Sequence, residues 1–120
     1  MIEIAYIDDN KECLDVTKMA FNSHGVNIDT YDDPIQFYNS NKYYKVVISD
    51  FQMPNLDGQE FIKLLKEKNN NIKTIIYSGV VAQIENKLSN IDMYLSKPLE
   101  FERLIKGAKY LLHEYNQKNN

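Results

Sequence analysis

The sequence predicts an α/β fold: a parallel sheet of five strands, doubly wound with helices on both faces. Three observations lead to it. Five short runs are rich in β-branched and aromatic residues, and the stretches between them carry apolar residues at helical spacing. Polar or charged residues stand at the ends of four of the runs. The runs are IEIAYI (2–7), VNIDTY (26–31), KVVISD (45–50), KTIIYS (73–78) and DMYLSK (92–97).

The first strand breaks into two adjacent acids, Asp8 and Asp9. Cys13, Val16, Thr17, Ala20 and Phe21 then recur at the i, i+3, i+4 spacing of a helix, and Gly25 follows where a left-handed cap is wanted. After the second strand, Asp33 before Pro34 makes an N-cap followed by proline at the first helical position. The third strand ends at Asp50. Asp57 can cap the third helix, whose inner face is Phe61, Leu64 and Leu65. The fourth strand ends at Ser78 and the fifth at Lys97, after which Leu104, Ile105, Ala108, Leu111, Leu112 and Tyr115 mark a long amphipathic helix. Alternation of strand and helix implies right-handed crossovers, with strands one and three near the centre.

With 120 residues and 43% hydrophobic content, the chain reads as one domain, 1–120. A net charge of -3 excludes a general affinity for phosphate backbones, so no direct nucleic-acid partner is expected. Cys13 is the single cysteine and cannot form an intramolecular disulfide. The start MIEIAY has no basic segment followed by a long apolar one. No apolar run approaches the roughly 18 residues of a membrane span, so the expected setting is the cytoplasm, with no membrane partner.

Ligands of an open parallel sheet bind beyond the carboxyl ends of its strands. There the fold would gather Asp8, Asp9, Asp50, Ser78 and Lys97. Adjacent acids repel unless a cation offsets them, and oxygen-only ligands suit a hard cation such as Mg²⁺. Cys13, His24 and His113 lack partners at metal-ligand spacing and receive no role.

The acidic pair after strand one, DFQMPNLDG (50–58), IIYSG (75–79) and YLSKP (94–98) together resemble the response-regulator receiver domain, the CheY-like family of two-component signalling. The resemblance covers essentially the whole chain and implies the flavodoxin-like strand order 2-1-3-4-5. It implies that Asp50 is the phosphoryl acceptor, taking the group from a sensor histidine kinase or a His-phosphotransfer protein. Mg²⁺ would be held by Asp9, Asp50 and the backbone carbonyl of Gln52, with Asp8 acting through water. Lys97 and Ser78 would contact phosphoryl oxygens, and Ser78 and Tyr94 would form the switch. No enzymatic activity is implied beyond self-phosphorylation and autodephosphorylation.

The output expected from the resemblance is altered binding of a downstream protein at the face of the fourth helix, fifth strand and fifth helix. A stand-alone receiver, monomeric or weakly dimeric, in chemotaxis-like control or a phosphorelay is the first reading. An excised receiver segment of a longer regulator is the second. An Mg²⁺-dependent haloacid-dehalogenase-type phosphatase would place its nucleophile in a D-x-D pattern after strand one, where this chain has adjacent acids. A flavodoxin would need hydroxyls and backbone donors where DDNKE stands.

The chain departs from the family pattern at several positions. Ser78 and Gly79 stand where threonine and alanine are common. Gln52 and Val80 occupy the positions that tune dephosphorylation, and Val80 cannot place a water, which implies a slow decay of the phosphorylated form. Met93 and Gly107 replace charges that pair in winged-helix regulator dimers. Between Ser78 and Lys97 the chain is about three residues short, nearly one helical turn. The expectation is a fourth helix of at most about two and a half turns between Val81 and Ser89, with Asn90 at a left-handed position.

Overall fold

Four consecutive residues, Ile4, Ala5, Tyr6 and Ile7, form β1 (Ile4–Ile7), and every one is buried, as befits a central strand covered on both faces. The computed structural model of the chain describes residues 1–50, 58–79, 90–97 and 101–118. Around β1 lie β2 (Asp29–Tyr31), β3 (Val46–Ser49), β4 (Lys73–Ser78) and β5 (Met93–Ser96), in the order β2-β1-β3-β4-β5. All pairings are parallel, with Ile7 level with Tyr31 on one side and Ser49 on the other, and Ser78 level with Ser96. The expected strand order is therefore the observed one.

Strand alternation divides the core in two. Ile4, Tyr6, Ile48, Ile75 and Tyr77 face α1 (Lys11–Ser23) and the C-terminal helix (Phe101–Lys118), meeting Leu14, Phe21, Leu104, Ala108 and Leu111. Ala5, Ile7 and Val47 face the other way, toward Phe37 of α2 (Pro34–Asn39) and Phe61 and Leu65 of α3 (Gly58–Lys68).

The caps follow the sequence closely. Asp33 accepts from the Ile35 N–H at 2.8 Å and Pro34 opens α2. Gly25 has φ +75 after α1, where a side chain would be strained, and Asn90 has φ 65 ahead of β5, the left-handed position expected of it. α1 differs from its expected stripe: Leu14, Thr17 and Phe21 are buried, whereas Val16 is 50% exposed. The stripe is rotated toward Leu14, which puts Val16 on the flank.

The C-terminal helix buries Leu104, Ile105, Ala108, Leu111 and Tyr115 as expected. It approaches β5 closely at Gly107, where a Cβ would come within 2.7 Å of Met93 Sδ. The proposed cap Asp57 and the expected short helix between Val81 and Ser89 lie outside the described residues. Among the described residues no helix is long and apolar enough to cross a membrane.

Candidate functional site

Three backbone hydrogen bonds carry the sheet ladder past the strand ends and fix what comes next. Asp8 N donates to Tyr31 O at 3.1 Å, Asp50 N to Ile7 O at 3.1 Å, and Lys97 N to Ser78 O at 3.0 Å. The side chains of Asp8, Asp50 and Lys97 therefore leave the same rim from known positions. Asp8 is fully buried and Asp50 is 8% exposed, whereas Asp9 faces solvent. One carboxylate oxygen from each of Asp8, Asp9 and Asp50 lies within 4.8 Å of the others. Such a cluster of oxygen donors, one of them open to water, fits a hard cation that keeps part of its hydration shell.

Lys97 bridges the two buried acids, with Nζ 2.5 Å from Asp8 Oδ2 and 3.0 Å from Asp50 Oδ2. It also stands 5.4 Å from the centre of the Tyr77 ring. Burial pulls the ammonium's pKa down, but its hydrogen bonds to Asp8 and Asp50 and their charges outweigh burial, so it is raised above the ordinary lysine value. Lys97 is cationic throughout the neutral range.

Asp8 accepts more than the sequence suggests. Besides Lys97, the Tyr6 hydroxyl donates to its Oδ2 at 2.7 Å and the Asn10 N–H to its Oδ1 at 2.9 Å. Asn10, not Asp9, caps α1: its side chain accepts from the Cys13 N–H at 3.1 Å. Asp9 is thereby spared the role of helix cap. Sequence reasoning passed over both Tyr6 and Asn10. The signal for Tyr6 was its place two residues before Asp8, which puts both side chains on one face of the strand.

The structure thus brings together Asp8, Asp9, Asp50 and Lys97. Ser78 is buried at the end of β4, its carbonyl tied to Lys97. Tyr94 is half-buried in β5, level with Ile76 of β4. Gln52 lies outside the described residues. Cys13 is half-buried in α1, where burial pushes its thiol pKa up, and His24 forms the C-cap of that helix, with Nδ1 3.0 Å from Ala20 O.

The family model described as the response regulator receiver domain matches residues 4–109. The chain belongs to this family. As a receiver domain it is 32% identical over 107 residues to the transcriptional regulatory protein FixJ of Bradyrhizobium diazoefficiens, an alignment covering 84% of this chain and 52% of FixJ. It is 27% identical over 108 residues to the transcriptional regulatory protein ZraR of Klebsiella oxytoca, covering 86% of this chain and 24% of ZraR. The chain therefore spans about half, or less, of the length of these relatives.

Among solved structures, the Francisella response regulator 1452 receiver domain is similar with a TM-score of 0.80 and 28% identity, over 99% of this chain and 100% of that one. The Thermotoga maritima response regulator TrrA, in complex with Mg²⁺ and BeF, is similar with a TM-score of 0.81 and 25% identity, over 92% of this chain and 99% of that one. Receiver domains are signalling modules of two-component response regulators that bind Mg²⁺ at an acidic pocket and interact with histidine kinases or phosphotransfer proteins.

Proposed function

We propose that this receiver domain takes a phosphoryl group on Asp50 from a histidine kinase or a His-phosphotransfer protein and thereby changes its affinity for a downstream protein. The observation that carries this reading is the 3.0 Å contact between Lys97 Nζ and Asp50 Oδ2 beside the Asp8 and Asp9 carboxylates. An Asp50 oxygen attacks phosphorus, an O–P bond forms as the N–P bond of the phosphohistidine breaks, and the departing imidazole keeps the electron pair and takes up a proton.

Asp50, Asp9 and the Gln52 carbonyl are the residues assigned to Mg²⁺, with Asp8 acting through water. The cation, when bound, offsets the negative charge of the incoming group. Lys97 contacts one phosphoryl oxygen and Ser78 donates to another, so that catalysis is mostly positioning and electrostatics. The added charge draws Ser78 and Tyr94 inward and shifts an existing equilibrium. The output face is the fourth helix with β5 and the C-terminal helix. Beyond taking and losing its own phosphoryl group the protein catalyses nothing. It works in the cytoplasm as a monomer or weak dimer.

Incubation with acetyl phosphate and Mg²⁺ tests the reading by intact mass. One added phosphate, stable to acid and labile to base, is expected in the wild type and absent in Asp50→Asn. A wild type that takes no label, or an Asp50→Asn variant that holds one stably at another residue, overturns it. A stand-alone receiver is the first form of this proposal. The greater lengths of FixJ and ZraR favour a second, in which the chain is the receiver segment of a longer regulator. The mass of the protein in its native cells separates the two.

A further inference from the structure

We infer that Tyr6 is a positioning residue for the acidic site, its hydroxyl holding the Asp8 carboxylate in place when the Lys97 ammonium leaves it. The inference rests on the phosphoacceptor reading of Asp50. Tyr6 lies in the middle of β1, fully buried, with its ring 6.5 Å from that of Tyr77. Its hydroxyl donates to Asp8 Oδ2 at 2.7 Å. Phenylalanine would fill the same space without burying a hydroxyl, so packing alone does not account for tyrosine here.

The donors around Asp8 are arranged unequally. Oδ2 receives both Tyr6 and Lys97, while Oδ1 receives the Asn10 N–H. Lys97 is shared with Asp50, whose Oδ2 is 3.0 Å away. For Lys97 to reach a phosphoryl oxygen carried on Asp50, its ammonium must withdraw from Asp8. A carboxylate as buried as Asp8 is poorly reached by bulk solvent, and an under-satisfied buried charge is costly, so a fixed protein donor is needed beside any metal-bound water.

Tyr6 supplies the answer from the strand itself. Its hydroxyl stays on the oxygen that Lys97 vacates, and with the Asn10 N–H on the other oxygen the carboxylate cannot rotate. The same two contacts leave Asp8 oriented toward Asp9 and Asp50, whose oxygens share the rim. Tyr6 therefore acts on metal and phosphoryl group only through Asp8.

The test is a calorimetric Mg²⁺ titration of the wild type, Tyr6→Phe, Asp8→Asn and the double variant, together with the rate of labelling from acetyl phosphate. Loss of an outer partner of a metal-site carboxylate is expected to weaken Mg²⁺ binding roughly tenfold in Tyr6→Phe and to slow labelling of Asp50. In the Asp8→Asn background the same substitution should change Mg²⁺ affinity by less than about twofold, because its route is gone. Unchanged Mg²⁺ affinity in Tyr6→Phe, or an equal loss in both backgrounds, overturns the inference; the second outcome would mean general damage. Should Tyr6→Phe fail to fold, Tyr6→Met, which also lacks the hydroxyl, must weaken Mg²⁺ binding in the same direction, and no change there overturns it equally. A wild type that binds Mg²⁺ but takes no label defeats the phosphoacceptor reading instead, and the inference falls with it.

Discussion

Asp8 and Asp9 are neighbours in the chain with opposite surroundings. Asp8 is buried and accepts from Tyr6, Asn10 and Lys97, whereas Asp9 points into solvent and caps nothing. The repulsion that the sequence suggests is therefore offset by donors at Asp8, while Asp9 meets it with solvent alone. Asp8→Ala should lower stability by about 2 kcal/mol, since it leaves the buried Tyr6 hydroxyl without its acceptor and takes one of two carboxylates from the half-buried Lys97. Urea denaturation without metal measures this. Asp9→Ala should instead raise the melting temperature at low ionic strength, with the gain shrinking at high salt as the remaining charges are screened. A fall in melting temperature for Asp9→Ala would mean that the exposed carboxylate has a structural partner. The acids and Lys97 were legible in the sequence because each ends a strand. Tyr6 and Asn10 were not, because a tyrosine in an apolar run reads as packing and the two preceding acids mask the asparagine.

Single elements show where pattern reading works and where it slips. β4 matches its expected run to the residue, but β2 spans only Asp29–Tyr31 of VNIDTY. Val26 and Ile28 pack into the core without entering a ladder, so apolar composition reported burial rather than pairing. In α1, two overlapping apolar stripes at helical spacing were available, and the fold uses the one through Leu14. The left-handed turn into β5 is legible through the family resemblance, counting back from Lys97 to Asn90. Asn90 adopts φ 65, which an asparagine tolerates and a β-branched residue does not. Asn90→Val should cost about 1.5 kcal/mol by chemical denaturation while Asn90→Gly stays close to wild type. Equal effects of the two would show that the side chain, not the backbone, matters there.

At the scale of the whole molecule, stability should fail on the alkaline side. The Tyr44 hydroxyl donates to Asp29 Oδ2 at 2.5 Å, and because its single proton is used there, Tyr31, also 2.5 Å away, must be the donor in their contact. Burial, then the hydrogen bonds to Asp29 and Tyr31, raise the Tyr44 pKa far above the usual tyrosine value. In the unfolded chain that tyrosine ionises near pH 10, while the folded protein keeps the proton. The stabilisation is thus fully present below about pH 10 and is lost above it at about 1.4 kcal/mol per pH unit. Tyr44→Phe should make the alkaline decline shallower by that amount, with Tyr6 and Lys97, also raised, sustaining the rest. An unchanged slope would exclude Tyr44 as a source.

The bridge between Lys97 and Asp8 joins residues 89 apart in sequence, from just after the first strand to just after the last. Closing so long a loop comes late, after the nearer contacts have confined the chain. A polypeptide still leaving the ribosome can bury β1 against β3, but Asp8 and Asp50 lack the bridging Lys97 ammonium until residue 97 has emerged and β5 has joined the sheet edge. Synthesis and assembly of the rim are thereby placed in order: the unfinished chain lacks the ammonium that bridges Asp8 and Asp50, and the bridge forms together with completion of the sheet.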